Sequence, residues 1–209
     1  IKSIYTDHHG NIWAGSVRDG LIRISRSEMN TYGDVHWGLK NGLSNPTVLY
    51  LYQDPSEDYI WIGTDGEGLN RFDPDKNEFT HYKSTQKTKV VSIASYSENE
   101  LAISVYSDRI WIFNKNTGTS RPLEVHDEHL NYQFRYAGLG VNLANENDGS
   151  LLIISNLIYR FDKKTGRCVK IQKPGNPKAT SNMLVIGNDE RGTWLHDNFD
   201  IFLLGTGRT

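Results

Sequence analysis

Short apolar runs separated by glycine, asparagine, aspartate and proline divide the chain from end to end. The clearest stretch reads Val48–Asp54, a turn at Pro55–Asp58, then Tyr59–Thr64, Gly68–Asp73 and Phe79–Tyr82. These are four strand-like runs in succession. Their apolar positions alternate or cluster, β-branched and aromatic side chains dominate, and none shows the 3.6-residue recurrence of an amphipathic helix. The same order returns along the chain. Ile4–Asp7, His8–Asn11, Ile12–Gly15 and Gly20–Ile24 form a first copy, and Trp13 to Leu21 matches Trp61 to Leu69 at eight residues each. A third copy runs through Val90–Tyr96, Glu100–Val105 and Arg109–Phe113, a fourth through Leu139–Asn145, Leu151–Ile154 and Tyr159–Asp162, and a fifth through Met183–Asn188, Thr193–His196 and Ile201–Leu204. Positions 13, 61, 102, 152 and 194 are equivalent, at steps of 48, 41, 50 and 42 residues.

A period of that size marks an array of sheets rather than one wrapped core. A lone four-stranded sheet with two apolar faces can bury them only against its neighbours, and radial packing is the propeller solution. The spacing therefore predicts an all-β chain of β-propeller blades, each of four antiparallel strands, with almost no helix. About five blades are present, near 1–38, 39–84, 85–125, 126–175 and 176–209, the last incomplete. Trp13, Trp61 and Trp194 then pack between blades. Asp7, Asp54 and Asp189 precede equivalent turns, where their carboxylates bond turn backbone. Gly10-Asn11, Asn41-Gly42, Asp65-Gly66 and Asp148-Gly149 mark tight turns with positive φ. Asn116–Gly118 and Lys164–Gly166 close the hairpins between third and fourth strands.

Composition fits this picture. Of 209 residues 37% are hydrophobic and 19 are glycine, as many turns require. A formal charge of −2 supplies no basic field for a nucleic-acid backbone. The single cysteine, Cys168, cannot form an internal disulfide and leaves the compartment open. No stretch of these residues approaches membrane length, and no charged-then-apolar pattern of the signal-peptide kind opens them. The first residue is Ile1, strand character begins at once, and the fifth copy stops before a fourth strand, so the expectation is a piece of a longer chain.

YIWIGTDGEGLNRFDP at Tyr59–Pro74, NGLSN at Asn41–Asn45 and TDHHGNIW at Thr6–Trp13 resemble the two-component regulator propeller repeat. The second copy matches that family's pattern almost throughout, the first and fifth keep the tryptophan and turn, and the third and fourth keep the frame. The resemblance implies the periplasmic sensor region of an inner-membrane hybrid two-component system of Bacteroidetes. There, repeats sufficient for two seven-bladed propellers precede an immunoglobulin-like domain, a membrane helix, a histidine kinase and a response regulator. It implies recognition of polysaccharide breakdown products, control of glycan-utilisation genes, and signalling through dimers. An arc of five blades would expose two sheet faces. The expectation is part of a seven-bladed ring or pairing with another chain, in preference to a closed five-bladed ring.

Ligand-binding candidates lie in loops. Two long connections, Glu28–Thr47 with Trp37, and Arg121–Gly138 with Arg135 and Tyr136, mix aromatic faces with polar groups, as sugar recognition requires. The connections between second and third strands place Arg18, Glu67, Tyr106, Arg109, Asn156, His196 and Asp197 around a central funnel if all lie on one face. The pair His126 and His129 has no third ligand at a definite spacing, so no metal and no cofactor is expected. No catalytic triad or carboxylate pair can be placed by spacing, and the fragment is expected not to be an enzyme. Alternatives are a propeller lyase or glycosidase and a purely structural or dimerisation propeller.

Overall fold

The computed structural model describes residues 1–25, 29–33, 41–126, 140–155, 157–172, 183–197 and 200–205. Five separate antiparallel sheets follow one another. The first contains β1 (Ser3–Thr6), β2 (Ile12–Gly15), β3 (Leu21–Ile24) and β4 (Met29–Tyr32). The second contains β5 (Val48–Tyr52), β6 (Ile60–Thr64), β7 (Leu69–Asp73) and β8 (Glu78–His81). The third contains β9 (Val90–Ser97), β10 (Glu100–Val105), β11 (Ile110–Asn114) and β12 (Ser120–Pro122). The fourth contains β13 (Asn142–Asn145), β14 (Leu151–Ile154), β15 (Ile158–Phe161) and β16 (Cys168–Ile171). The fifth, among the described residues, contains β17 (Leu184–Asp189), β18 (Gly192–His196) and β19 (Ile201–Gly205). Within each sheet every strand pairs with its neighbour in sequence, and the first strands β1, β5, β9, β13 and β17 pack consecutively against one another. Five meander sheets side by side, joined along their first strands, are five blades of a β-propeller. The described helix is one 3₁₀ turn at Lys83–Thr85.

One reading is corrected. Met29–Tyr32, assigned to the long connection Glu28–Thr47, is the fourth strand of blade 1, and β12 takes in the start of the connection placed at Arg121–Gly138. These outermost strands are half solvated and bury little apolar surface, so they carry weak alternation.

Four cores fill the four seams. Between blades 1 and 2 lie Trp13, Leu21, Leu43, Val48, Ile60, Ile62 and Phe72; between 2 and 3 lie Trp61, Leu69, Ile93, Leu101, Ile103 and Phe113. Between 3 and 4 Ala102 and Ile112 meet Leu143, Ile153 and Phe161; between 4 and 5 Leu152 and Ile154 meet Leu195 and Leu204. The strand registers explain this order. Trp13 is cross-strand to Tyr5 and Arg23, and Trp61 to Tyr52 and Arg71, so each indole lies on the face turned to the following blade. The intervening positions, such as Ile60 opposite Phe72, form the face turned to the preceding blade. Trp13 and Trp61 pack as expected, both 0% exposed. Trp194 is only half-buried, because blade 5 has no described successor.

The buried indoles need acceptors. Trp13 donates to Asp7 Oδ2 at 2.8 Å, Trp61 to Glu57 Oε2 at 3.1 Å and Trp194 to Asp189 Oδ2 at 2.9 Å. In blade 4, where Leu152 replaces the indole, its cross-strand neighbour Arg160 supplies the donor and forms a two-bond pair with buried Glu146. The turn role read for the aspartates also holds: Asp7 accepts backbone N–H groups of His9 and Asn11, Asp54 that of Ser56 and Asp189 that of Arg191.

The lead-in NGLSN has a mechanical role. Buried Asn70 accepts from Ser44 N at 2.9 Å and donates to Ser44 Oγ at 2.8 Å, which fixes Leu43 in the first seam. Gly10, Gly66 and Gly149 adopt the positive φ expected, but Gly42 does not. It lies in this lead-in, where its carbonyl bonds His81 Nε2 at 2.7 Å. At Gly68, with φ +75°, an added Cβ would strike the Thr85 carbonyl, so this turn requires glycine twice over.

Acid should undo these turns. Burial raises the pKa of Asp7, but bonds from Asn11 and Trp13 outweigh it; burial likewise raises Asp54, and bonds from Ser56 with the Lys115 charge outweigh it. The Arg191 hydrogen bond, followed by the Trp194 indole, holds Asp189 well below the usual carboxylate range. Folded values below an unfolded value of about 3.9 mean that the unfolded chain binds more protons under acid conditions. Urea midpoints should therefore be level from about pH 7 to 5 and fall progressively below about pH 4 as the folded values are approached.

Candidate functional site

The loops between second and third strands share one end of the propeller, because each touches the entry to the next blade's first strand. Val48 N donates to Ser16 O at 2.9 Å, Gly68 N to Thr88 O at 3.0 Å and Met183 N to Ser155 O at 3.3 Å, and in blade 3 Val141 N donates at 3.0 Å to Ser104 Oγ, near the end of β10 beside the loop. Loop-borne polar groups there meet across a seam. Asp65 of blade 2 pairs with Lys89 Nζ at 2.7 Å, and Lys89 lies 5.7 Å from the centre of the Tyr106 ring in blade 3. The hydrogen bond that Lys89 donates to Asp65, and the Asp65 charge, raise the Lys89 pKa, keeping the ammonium charged. On the same loop Arg109 Nε lies 3.5 Å from Asp108 Oδ1, with the guanidinium 5.7 Å from the Trp111 ring. Trp111 in turn donates to Asp108 Oδ2 at 3.0 Å.

The result is a strip of two clusters sharing the blade 3 loop, Asp65–Lys89–Tyr106 and Asp108–Arg109–Trp111, each an ion pair with a ring beside it. Tyr106 is 40% exposed, and the buried Arg109 Nε has no hydrogen bond among the described residues. Chemically the strip offers one open aromatic ring, fixed donors and acceptors of both signs, suited to a neutral polyhydroxylated ligand.

Of the residues expected to bind, Tyr106 and Arg109 come together here. Glu67 lies on the neighbouring blade 2 loop, and its backbone carbonyl accepts from Ser44 Oγ at 3.2 Å. Asp197 is 5% exposed, and its Oδ1 accepts from Asp200 N at 2.9 Å, the capping position that Ser16 fills in blade 1 by accepting from Asp19 N. His196 ends β18, cross-strand to Ile201 and Leu184, on the face that blade 5 turns away from blade 4; Asp197 O lies 2.7 Å from its Nδ1. Trp37, Arg135, Tyr136 and Asn156 lie outside the described residues, as does His129. His126 packs on the Gly166 turn. Sequence reasoning missed Asp65, Lys89 and Asp108. The signal for Asp65 and Asp108 was the loop position they share with Glu67 and Tyr106, not residue type; Lys89, just before β9, carries no such signal.

A depression of about 630 Å³ lies at the other end, between blades 3 and 4, lined by Tyr96, Glu98, Asp148 and Lys163 among others. Lys163 donates to Ser95 O at 2.9 Å, and burial pushes its pKa down. Two cations, Arg121 and Lys163, already stand 5.7 and 6.0 Å from the Tyr96 ring centre. No group of metal-ligating residues occurs among the described residues, and none of their helices is long and apolar enough to cross a membrane.

Fold and loop ends define a β-propeller arc with a polar, aromatic-lined end. No protein-family model and no curated protein matches the chain. Among solved structures it is similar to the extracellular domains of two hybrid two-component systems of B. thetaiotaomicron. For BT3049 the identity is 16% and the TM-score 0.66 over 99% of this chain and 28% of that one. For BT4673 they are 21% and 0.67 over 99% and 31%. It is also similar to virginiamycin B lyase from Staphylococcus aureus, at 15% identity and TM-score 0.66 over 97% of this chain and 68% of that one. The chain thus spans less than a third of the two-component extracellular domains it matches.

Proposed function

We propose that this chain is the ligand-sensing, extracytoplasmic propeller region of a hybrid two-component sensor, which binds polysaccharide-derived oligosaccharides and so controls glycan-utilisation genes. The observation that carries the reading is the fold shared over 99% of the chain with extracellular domains of two such systems. The family-like repeat at Tyr59–Pro74 points the same way. In this reading the region is periplasmic, belongs to an inner-membrane protein whose kinase lies elsewhere, acts as a homodimer, and takes its place in a seven-bladed ring. Five blades over 68% of the lyase chain scale to about seven over its full length, within the usual four to eight.

The ligand would lie on the Lys89–Tyr106–Arg109 strip, its sugar ring stacked on Tyr106 and its hydroxyls bonded to Arg109 and Lys89. Calorimetric titration with a panel of plant and host-glycan oligosaccharides tests this. One class should bind, and the double substitution Tyr106→Ala/Arg109→Ala should weaken it at least tenfold, about 1.4 kcal/mol, with the melting temperature unchanged. Unchanged affinity in that variant would remove the strip from the site. Absence of binding across the panel would favour a structural role. The lyase likeness supports a second reading, an enzyme, and cleavage of a panel member during titration would establish it.

A further inference from the structure

The arginine cross-strand to the indole position meets a different environment in each blade that has one. Arg23, Arg71 and Arg160 stand opposite Trp13, Trp61 and Leu152. Arg160 holds the Glu146 carboxylate through two bonds, and Arg71 lies 4.3 Å from the Tyr59 ring centre. Arg23 has no such partner. The residue equivalent to Glu146 is Asp7: each opens its turn by donating its N–H to Ser150 O or Asn11 O and accepting from Gly149 N or Gly10 N. Both Asp7 oxygens are already taken, Oδ1 by the N–H groups of His9 and Asn11, Oδ2 by the Asn11 amide and the Trp13 indole. Arg23 lies 5.7 Å from the Trp13 ring centre, forms no ion pair among the described residues, and its buried Nε has no acceptor there.

Beside it, on the outer rim of the seam between blades 1 and 2, is a cavity of about 450 Å³ lined by Arg23, Asn30, Tyr32, Asn41, Pro74 and Asn77 among others. That volume falls within the range of small-molecule sites, roughly 300–1,000 Å³. Arg23 is the one charged residue of the described lining. Asn30 is cross-strand to it, and Asn41 is locked in place, donating to Asn77 O and accepting from Phe79 N. The side-chain amides of Asn30 and Asn77 have no partner among the described residues. One residue keeps the space open. Asp73, Asn114 and Asp162 begin equivalent hairpins, each accepting from the N–H groups two and three residues on. The next residue in blades 3 and 4 is a lysine that reaches the preceding blade, Lys115 to Asp54 and Lys163 to Ser95 O; in blade 2 it is the short ring of Pro74. The seam that lacks this lysine is the one that carries the unpaired arginine.

We infer that this cavity is a binding site for a hydroxylated monocarboxylate of about the size of one sugar acid. The Arg23 fork takes the carboxylate, as Arg160 takes Glu146, because planar guanidinium and planar carboxylate match in two parallel bonds. The Asn30 and Asn77 amides, each with donors and an acceptor, take hydroxyl groups. A second carboxylate on the ligand would find no cation in the described lining. The inference does not depend on the strip between blades 2 and 3.

The test is titration of the isotope-labelled 209-residue chain, followed by NMR, with D-glucuronate, D-glucose, acetate and D-lactate. D-glucuronate should shift the backbone amide signals of Asn30, Tyr32 and Asn77 to saturation, and D-glucose should leave them in place. Acetate, which lacks the hydroxyls, should bind about tenfold more weakly. Equal or tighter binding of D-lactate would overturn the sugar-acid assignment. Arg23→Gln should abolish the shifts with the melting temperature unchanged. Asn77→Gly, at a φ of 57° that glycine adopts freely, should weaken binding about threefold without disturbing the turn. Undiminished D-glucuronate binding by Arg23→Gln, or shifts confined to the Tyr106 loop, overturns the inference. Tyr106→Ala/Arg109→Ala should bind D-glucuronate as the parent does, so that failure of the strip and failure of this cavity are read separately.

Discussion

Replacing Trp61 with alanine should destabilise the chain by about 3–5 kcal/mol, the range for a fully buried large aromatic. Three losses coincide at this residue. Its indole is closed on all sides, stacked with Tyr82 at 5.8 Å between centroids and edge-on to Phe113 at the same distance. Its removal leaves a void that blades 2 and 3 could fill only by rotating, which the bonds at both ends of the seam oppose. It also takes away the N–H that Glu57 accepts. Urea unfolding should show a lower midpoint with an unchanged slope. Trp194→Ala, whose ring is only half-buried, should cost far less in the same assay, and equal losses would refute the distinction between covered and open faces.

Lys115→Met should have an effect of similar size, about 3–5 kcal/mol, because it strands buried Asp54 and half-buried Glu57 without their cation. The ammonium comes from the turn between third and fourth strands of blade 3, lies 3.3 Å from Asp54 and 2.6 Å from Glu57 of blade 2, and its side chain is 5% exposed. Methionine keeps the stem and removes only the charge. Adding Asp54→Asn should recover much of the loss, a coupling that a double-mutant cycle measures. The sign with pH follows. Without Lys115 the Asp54 carboxyl rises in pKa and takes up a proton more readily in the folded chain, so the gap between variant and parent should narrow as pH falls from 7 towards 4. A gap independent of pH would show that Lys115 acts through packing alone.

The period was legible in sequence because one residue, the indole at 13, 61 and 194, is both rare and fixed in register, and because turn glycines and aspartates recur beside it. Where Ala102 and Leu152 replace that indole, the spacing still located the blades, although the substitutes were invisible. Arg160 could be recognised as the replacement donor only once Glu146 was seen beside it. β4 stayed hidden, and the end of β12 was read as connection, because an outer strand bonded on one edge needs no apolar face. For the binding strip, Tyr106 and Arg109 could be read from loop position. Lys89 could not, since its role comes from meeting Asp65 across a seam that links residues 24 apart. His196 and Asp197 stand next to each other in sequence, yet one belongs to an open sheet face and the other to a turn, a division set by strand alternation.

The four seams also dictate how the polypeptide can acquire its structure in time. Every core joins two sheets that are adjacent in sequence, and the longest described side-chain hydrogen bond, Lys163 to Ser95, spans 68 residues. Each sheet can therefore close as soon as its successor has left the ribosome or emerged across a membrane, with no need to wait for the distant end of the chain. Folding order can then run with synthesis, and of the four seams only the newest awaits its second half at any moment.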